Sequence, residues 1–367
     1  MNTVLDNQQK MAQVDKNNML GDLIKTPDYC RDAIKRAKQV DVPKDVNPKN
    51  VAVVGMGGSA IGGELLKYWL QDQLPIPIEV CRDYVLPAYV DENSLVFVNS
   101  YSGNTEETIS AFLAAVDLKC TIITITSGGL LEQFCKKLDV PHIVVPSKLQ
   151  PRAAVPYLFF PLAVLLQKMG LVCNIDAELE ETIQIIKRVG KANCPSVSAQ
   201  NNEAKQLALD LVGTIPIIYA YRQYLAVAKR IKCQFNENSK IPSKTEAFPE
   251  LNHNEAVGYN APETLTKQFS VILLRDSKEP VELKNRVDVT SELVLHKANK
   301  VLELSAQGTS KLAKMFSVIV VGDYASVYLA LLQNKDPSPV QIIDKVKSEL
   351  AKRSGMKQKF EAKLAKL

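Results

Sequence analysis

The sequence has few of the residues that bind zinc. It contains three histidines among 367 residues, and its seven cysteines are widely scattered without a C-x-x-C pair. Structural zinc sites need closely spaced cysteine and histidine ligands, so we expect no metal site. Scattered, unpaired cysteines are typical of reduced thiols, which predicts a cytoplasmic protein.

Segments that direct a chain to or through a membrane are also lacking. The N-terminal residues Met1–Lys16 are polar, whereas a secretion signal requires an apolar core. The most apolar stretch, Ala153–Leu166, contains two prolines and is shorter than the roughly 20 residues that span a bilayer. We therefore predict a buried helix there and no membrane partner.

Neither sign of charge is in large excess, because the formal net charge is +5. Basic residues are densest between Lys352 and Lys366, where they predict a solvated helix and not a nucleic-acid-binding tail. The composition, 46% hydrophobic and 23% charged, is that of an ordinary globular protein. A length of 367 residues exceeds the about 250–300 at which single cores stop growing, so two domains are expected.

Apolar runs of strand length alternate with helical segments in the first half of the chain. The predicted strands are Val51–Gly55, Ile76–Cys81, Leu95–Asn99, Thr121–Thr126 and Ile143–Val145. The predicted helices are Ala60–Gln71, Glu106–Val116, Leu130–Leu138 and Ala153–Met169. Continuous apolar strands separated by helices predict a doubly wound α/β fold, a parallel sheet covered on both faces. Every strand-to-helix loop then lies at one carboxyl edge.

The alternation resumes in the second half and predicts a second sheet of the same kind. Its predicted strands are Ile215–Ala220, Ile241–Phe248, Val271–Leu274 and Val301–Leu304. The predicted boundaries are an N-terminal helical segment (1–48), a first α/β domain (49–172), connecting helices (173–200), a second α/β domain (201–350) and a basic C-terminal helix or tail (351–367).

A glycine loop, GMGGSAIGG from Gly55 to Gly63, joins the first predicted strand to a helix. Its glycines let the backbone approach a ligand at the positive end of the helix, so this is a candidate anion site. Gly55, Gly57 and Ala60 also fit the dinucleotide fingerprint, and Asp83 lies about where a ribose-binding acid is expected. A tight turn without a ligand is a third interpretation, and the loop alone does not decide among the three.

A hydroxyl loop, Ser100–Thr105, follows the predicted strand Leu95–Asn99 and again enters a helix. Ser100, Ser102 and Thr105 offer three hydroxyls, and the intervening Gly-Asn tolerates backbone bends that present adjacent N–H groups. Helix capping accounts for one hydroxyl only. Three hydroxyls at a helix N-terminus predict a phosphate site, which a dinucleotide enzyme does not need at this position.

Arg152 begins the apolar helix that follows the fifth predicted strand. A cation at a helix N-terminus opposes the macrodipole, so its presence indicates a bound anion or a charge that develops during a reaction. A surface arginine on a solvated turn is the structural alternative.

Glu237 and His253 are candidates for proton transfer in the second half. Glu237 lies among Asn236, Asn238 and Ser239, and His253 is flanked by asparagines. A carboxylate and an imidazole within reach of one substrate supply the two proton movements that an isomerase needs. Each could alone be structural, and the competing acids are Glu246, Glu250 and Glu255.

Six motifs together resemble those of the bifunctional phosphoglucose/phosphomannose isomerases, a family of the SIS-domain superfamily. In chain order they are GMGGSAIGG, SYSGNTEET, PRAA, QFNENSK, FPELNHNE and DPSPVQIIDKVK. The resemblance implies that the two α/β domains are SIS subdomains and that the protein is a homodimer whose active site takes residues from both subunits. It also implies interconversion of glucose 6-phosphate and mannose 6-phosphate with fructose 6-phosphate through a cis-enediol, without a metal or other cofactor.

The resemblance assigns roles by position. Arg152 resembles the arginine that stabilises the enediolate and helps to exclude water. The residues that it assigns to substrate and phosphate binding are Gly57, Gly58, Ser59, Ser100, Ser102 and Thr105.

Further roles fall in the second half of the chain. Glu237 resembles the base that moves a proton between C2 and C1, and His253 resembles the ring-opening residue that reaches in from the partner subunit. Lys347 matches the lysine that assists ring opening, with Lys345, on another helix face, as the alternative. Ser338 departs from the family, where a longer hydroxyl-bearing side chain is expected, and this predicts weaker activity on the mannose epimer.

Two other functions use the same loops. A phosphosugar sensor would need neither Glu237 nor His253, but sensors usually carry a DNA-binding module, and no segment here has the composition of a basic recognition helix. A nicotinamide oxidoreductase would use Gly55, Gly57, Ala60 and Asp83.

Overall fold

The computed structural model describes residues 4–44 and 46–367; residues 1–3 and Asp45, which belong to the predicted N-terminal helical segment, lie outside the described residues. Within this part of the chain the strands form two separate parallel sheets. The strands are β1 (Asn50–Val54), β2 (Ile78–Cys81), β3 (Ser94–Ser100), β4 (Thr121–Thr126), β5 (His142–Val144), β6 (Ile215–Ala220), β7 (Lys244–Ala247), β8 (Phe269–Arg275) and β9 (Lys300–Ser305).

Helices precede, separate and follow these strands. They are α1 (Gln8–Val14), α2 (Met19–Ile24), α3 (Thr26–Gln39), α4 (Gly58–Leu70), α5 (Glu106–Asp117), α6 (Gly129–Lys137), α7 (Val155–Lys168), α8 (Asp176–Asn193), α9 (Glu203–Asp210), α10 (Tyr224–Gln234), α11 (Glu255–Gly258), α12 (Glu263–Thr266), α13 (Val281–Leu293), α14 (Lys311–Leu332), α15 (Gln341–Ser354) and α16 (Met356–Lys366). Helix α10 continues into a π-helical turn, Phe235–Ser239, which is called the π-turn below.

The first sheet has the strand order β2-β1-β3-β4-β5, and each neighbouring pair is parallel. Every residue of β1 and β3 is buried, because helices cover the sheet on both faces. This explains why both strands are continuous apolar runs in the sequence. The second sheet, with the order β7-β6-β8-β9, is parallel as well. The predicted doubly wound α/β class is confirmed.

The chain divides into two compact units, each of which combines a sheet with a terminal segment. The first-sheet unit comprises Asp28–Asp176 and Val340–Leu367. The second-sheet unit comprises Ala177–Pro339 and the N-terminal residues up to Pro27. Each terminal segment is therefore far in sequence from the sheet with which it groups. Each unit combines two separate stretches of the chain.

The C-terminal helix α16 is part of the core of the first-sheet unit. Phe360 is 6% exposed and belongs to the same hydrophobic cluster as Phe112 of α5 and Phe134 of α6. Its lysines face solvent, as predicted for a basic helix, whereas the apolar side of α16 covers α5 and α6. Burial of one phenylalanine contributes about 2–3 kcal/mol to folding.

Two helices are strongly apolar. Helix α7 is buried along almost its whole length, as predicted for the Ala153–Leu166 stretch. Helix α14, in the second-sheet unit, has the length and composition of a membrane-crossing helix, but nearly all of its residues are buried within the protein. A core helix produces this same pattern.

Candidate active site

The first sheet places the glycine loop and the hydroxyl loop side by side. Strand β1 pairs with β3, so that Val54 lies opposite Val98, and each loop begins just beyond these residues. The strand order reverses direction between β1 and β3, and open α/β sheets bind ligands at such a switch point, outside the carboxyl ends of the strands. The two loops therefore lie where this fold class binds its ligands.

The glycine loop packs against the backbone that carries Arg152. A Cβ atom on Gly58 would lie 2.8 Å from the Pro151 carbonyl oxygen and 3.3 Å from the Arg152 nitrogen, so only glycine permits this approach. Gly57 precedes α4 with a positive φ of 51°, and no side chain caps this helix. The N-terminus of α4 is thus formed by backbone alone.

Ser59 joins the two loops. Its side chain is buried, and its Oγ accepts a hydrogen bond of 3.1 Å from the backbone N–H of Tyr101. Asn99 adds a second connection, because its Nδ2 donates to the carbonyl oxygens of Ser59 and Leu158 at 3.3 Å each. Ser59 therefore positions the hydroxyl loop in this structure.

The three predicted hydroxyls of the hydroxyl loop occupy different environments. Ser100 is buried, and its Oγ donates to Thr105 Oγ1 at 3.2 Å. Ser102 is exposed, and its Oγ accepts from the Asn104 backbone N–H at 3.3 Å. Thr105 precedes α5 without making a capping hydrogen bond. Capping thus explains none of the three hydroxyls, and the pair Ser100 and Thr105 adjoins the positive end of α5.

Two side chains hold the hydroxyl loop in place: Tyr101, which sequence reasoning did not single out, and Asn104, which it named only for its tolerance of backbone bends. The Tyr101 hydroxyl donates to the Pro146 carbonyl at 2.6 Å and accepts from the Leu149 N–H at 2.9 Å. Asn104 Oδ1 accepts from the Leu130 N–H at 3.1 Å, at the start of α6. Both residues lie inside the SYSGNTEET motif, which was the available signal.

Arg152 is 2% exposed and is among the largest fully buried side chains of the described residues. The interpretation as a surface arginine on a solvated turn is therefore wrong. A buried guanidinium lies in a low dielectric, where its attraction to a nearby anion is stronger than in water. Its backbone contacts Gly58, so it belongs to the same carboxyl edge as the two loops.

Glu237 lies on the π-turn at the end of α10, in the second-sheet unit. Its polar neighbours turn away from it towards α14: Asn238 Nδ2 donates to Ser326 Oγ at 2.9 Å, and Ser239 Oγ donates to the Ser326 carbonyl at 2.6 Å. The dense polar residues around Glu237 thus fix the turn. Glu237 itself is half-buried. π-helical turns are frequent at functional sites.

Lys240 connects the π-turn to the segment that contains Ser338. Its Nζ donates to the carbonyl oxygens of Glu237 and Pro337, the latter at 2.9 Å. Ser338 is buried, and its backbone N–H donates to Asp336 Oδ1 at 2.9 Å. Ser338, the residue that departs from the family pattern, therefore adjoins the turn that carries Glu237.

His253 is exposed at the end of a short 3₁₀ turn, Glu250–His253, that follows β7. Both flanking asparagines have structural partners. Asn252 Nδ2 donates to Thr290 Oγ1 at 2.7 Å, and Asn254 Nδ2 donates to Glu250 Oε1 at 3.0 Å. The imidazole of His253 projects from a turn that is fixed on either side.

Glu237 and His253 of one chain lie at opposite edges of the second sheet, that is, at the amino ends and the carboxyl ends of its strands. Helix α10 leaves the carboxyl end of β6 and runs back, so Glu237 is about 20 Å along the axis from Tyr224, before the amino end of β7. His253 follows the carboxyl end of β7. Within one chain, Glu237 and His253 therefore lie beyond opposite ends of strand β7.

The competing acids have structural partners. Glu255 Oε1 accepts the hydroxyl of Tyr219, and burial together with Tyr259 and Glu255 raises the pKa of Tyr219 far above its ordinary value. Glu246 Oε1 accepts the Ala247 N–H at 2.9 Å. Glu250 accepts from Asn254, as described above. One carboxylate oxygen of each competing acid thus accepts a hydrogen bond within the second-sheet unit.

Lys347 and Lys345 are both exposed on α15, a helix with no buried residue, and their environments do not distinguish them.

The dinucleotide interpretation loses support, because Asp83 Oδ1 accepts the Tyr84 N–H at 2.6 Å and Arg82 pairs with Glu64. Among residues 4–44 and 46–367, no three His, Cys, Asp or Glu side chains form a group that could hold a metal ion.

Two family models match the chain: a SIS domain over residues 46–136 and the bacterial phospho-glucose isomerase C-terminal SIS domain over residues 200–350. The chain is 42% identical to a bifunctional phosphoglucose/phosphomannose isomerase of Caldicellulosiruptor bescii over 327 residues, which are 89% of this chain and 96% of that protein. It is 35% identical to the protein of the same name in Aquifex aeolicus, over 85% of this chain and 94% of that one.

The chain belongs to the bifunctional phosphoglucose/phosphomannose isomerase family. The resemblance drawn from the six motifs is confirmed, and this family consists of isomerases. A solved structure of a glucose-6-phosphate isomerase like protein from Thermus thermophilus shares the fold, with a TM-score of 0.63, 18% identity and coverage of 92% of this chain and 98% of that chain. The family model ends at residue 350, before α16.

Proposed function

We propose that this protein interconverts glucose 6-phosphate and mannose 6-phosphate with fructose 6-phosphate through a cis-enediol. The observation that carries the proposal is the paired Ser100 and Thr105 hydroxyls at the N-terminus of α5, at the switch point of the first sheet. A phosphate group suits this position because hydroxyls and backbone N–H groups donate to its oxygens and the helix end favours negative charge. Ser102, Gly57, Gly58 and Ser59 complete the proposed phosphate and substrate site.

The isomerisation moves the C2 proton to C1 and the O2 hydroxyl proton to O1, and it leaves the oxidation level of the whole sugar unchanged. Glu237 removes the proton from C2 of the open-chain aldose, and the electron pair forms the C1–C2 double bond of the enediolate. The same carboxyl group then returns the proton to C1, while the O2 hydroxyl proton passes to O1 and the C2 carbonyl of the ketose forms. No hydride acceptor takes part, because both electrons remain within the sugar.

Arg152 stabilises the enediolate oxygen. A guanidinium that is buried is restrained before the charge develops, and such preorganised donors contribute about 3–4 kcal/mol to transition-state stabilisation. This stabilisation replaces a Lewis acid, and we propose that the reaction needs no metal ion.

Ring opening precedes proton transfer, and we assign it to His253 of a second subunit with the assistance of Lys347. The positions of Glu237 and His253 at opposite edges of one sheet support a homodimer with a shared active site. His253 is exposed and therefore accessible to the site of another copy. We further propose a cytoplasmic enzyme that acts in glycolysis or gluconeogenesis.

The test is incubation of EDTA-treated protein with fructose 6-phosphate and separate assay of the two aldose products. Both glucose 6-phosphate and mannose 6-phosphate are expected, the latter more slowly if the shorter Ser338 disfavours that epimer. Glu237→Gln should lower kcat about 10³-fold, because the amide cannot accept the C2 proton.

Glu246→Gln is the matched control, since it makes the same chemical change in a nearby acid that accepts a backbone hydrogen bond. Its kcat should stay within about twofold of the parent, as expected for a carboxylate outside the reaction. Binding of fructose 6-phosphate without either product would identify a phosphosugar sensor and reject the isomerase.

A further inference from the structure

The C-terminal helices reach the first turn of α5, next to the hydroxyl loop. Ser354, the last residue of α15, places its Oγ 3.0 and 3.1 Å from the two carboxylate oxygens of Glu106. Glu106 is the first residue of α5 and directly follows Thr105. The Ser354 contact is therefore one residue away from the proposed phosphate site.

The Glu106 carboxylate and the substrate phosphate are both attracted to the N-terminus of α5. The N-terminus of α5 carries partial positive charge, which attracts any nearby anion, including a carboxylate in the first turn. A Glu106 side chain that turned towards the N–H groups of α5 would occupy them and repel a phosphate dianion. The hydroxyl of Ser354 instead donates to the carboxylate and holds it on the side of α16.

Helix α16 fixes the position of Ser354. It is held along α5 by Phe360, which is buried in the core of the first-sheet unit, and by Lys363, whose Nζ lies 3.7 Å from Asp117 Oδ2 at the last turn of α5. Ser354 and Lys363 thus contact opposite ends of one helix. Residues 351–367 lie beyond the matched family model, so this device is additional to the part of the chain that the model describes.

We propose that Ser354 is a positioning residue that keeps the Glu106 carboxylate away from the hydroxyl loop and so preserves affinity for the phosphate group of the substrate. The inference rests on the proposed function, because it takes the hydroxyl loop as the phosphate site. It assigns a role to the C-terminal segment, which acts through Glu106 and does not touch the sugar.

The experiment compares Ser354→Ala, Glu106→Gln and the double variant in the full-length protein. The dissociation constant of inorganic phosphate is measured by calorimetry, and kcat and KM for fructose 6-phosphate are measured in parallel. Ser354→Ala should raise both the phosphate dissociation constant and KM about fivefold, the size of a helix-terminus charge effect. The double variant should return to the parent value, because the neutral amide no longer repels phosphate.

Lys363→Ala is the matched control, since it removes only an exposed ion pair at the far end of α5 while Phe360 still holds α16, so phosphate affinity should change less than about twofold. An unchanged phosphate affinity in Ser354→Ala would overturn the proposal. A phosphate affinity that Ser354→Ala weakens and Glu106→Gln does not restore would also overturn the proposal. Ser354 would then act through the fold of the C-terminal segment and not through the charge of Glu106.

The two hypotheses fail in different ways. A parent protein that isomerises fructose 6-phosphate while Ser354→Ala binds phosphate normally rejects only the role of Ser354. If the parent protein makes no aldose but the variants show the predicted changes in phosphate affinity, the isomerase is rejected and the role of Ser354 is retained.

Discussion

Lys240 connects the backbone of Glu237 to that of Pro337, because its ammonium group donates a hydrogen bond to the carbonyl oxygen of each. Lys240→Met keeps the length of the side chain and removes both hydrogen bonds, so the π-turn loses one of its fixed points. We expect kcat for fructose 6-phosphate to fall about tenfold, equal to about 1.4 kcal/mol, with little change in KM, because phosphate binding uses other residues. Chemical unfolding should show a loss of about 1–2 kcal/mol.

Lys244→Met serves as the control for Lys240, because Lys244 is an exposed lysine on the neighbouring strand β7. Lys240→Arg retains a charged donor and should recover part of kcat. A Lys240→Met enzyme that loses stability but keeps its full kcat would show that Lys240 does not position Glu237.

Single residues also mark the limit of what the sequence predicts. The density of asparagine and serine around Glu237 drew attention to the segment, but the sequence did not show which way these side chains point. Asn238 and Ser239 bond Ser326, almost ninety positions later in the chain, and such a partner leaves no local pattern. The burial of Arg152 was undecided for the same reason, since it depends on the approach of Gly58.

At the scale of elements, the second sheet has a buried polar cluster where β8 leads into its following loop. Lys314 Nζ of α14 donates to both oxygens of Asp276 at 2.8 and 3.0 Å, and the Tyr224 hydroxyl donates to the same carboxylate at 2.7 Å. Burial alone would raise the pKa of Asp276, but the hydrogen bonds from Lys314, the Lys278 backbone and Tyr224 outweigh it and lower the pKa. The cluster connects α14 and α10 to the sheet.

Asp276→Asn should lower the free energy of unfolding by about 3–5 kcal/mol at pH 7, because it leaves the buried Lys314 ammonium without its counterion. A lowered pKa means that the carboxylate stabilises the fold above its unfolded value near 3.8 and that this contribution is lost as the pH falls through the folded value. The difference in the free energy of unfolding between parent and variant, measured with urea, should therefore be largest near pH 7 and should narrow progressively as the pH falls below 3.8.

Asp210→Asn is the matched control for this measurement. Asp210 pairs with Lys300 at 2.6 Å, but both side chains are more than a third exposed, so its loss should cost less than about 1 kcal/mol. Equal losses in the free energy of unfolding from the two substitutions would show that the buried Asp276 pair stabilises the fold no more than an exposed pair does.

Regular elements were predictable where one strong pattern determines them. The runs Thr121–Thr126 and Ile215–Ala220 coincide with β4 and β6, because strands buried on both faces contain no charged residue that would interrupt the run. The π-turn was missed, since the polar sequence FNENS has no helical periodicity and is held by α14. The packing of α16 was missed as well, because its lysines outnumber the single buried Phe360.

At the scale of the whole molecule, a shared active site is testable by mixing two inactive variants. Glu237→Gln and His253→Ala homodimers should each be nearly inactive. After dissociation and random reassociation, half of the dimers contain one copy of each variant, and one of their two sites has both native residues. Activity should recover to about a quarter of the parent value.

Recovery depends on exchange of subunits, which labelled chains can monitor by mass or fluorescence. A mixture that exchanges completely but stays inactive would show that Glu237 and His253 act within one chain, in conflict with their positions at opposite edges of the second sheet. Size-exclusion chromatography of the parent protein gives the independent check that it is a dimer.

The crosswise grouping of the termini has a consequence for synthesis of the protein. A nascent chain that has reached residue 340 contains all nine strands of the described residues, yet the first-sheet unit still lacks Phe360 and the contacts of α16. The unit whose strands leave the ribosome first is thus the last to close its core, and its apolar surface over α5 and α6 stays available to chaperones until α16 has been synthesised.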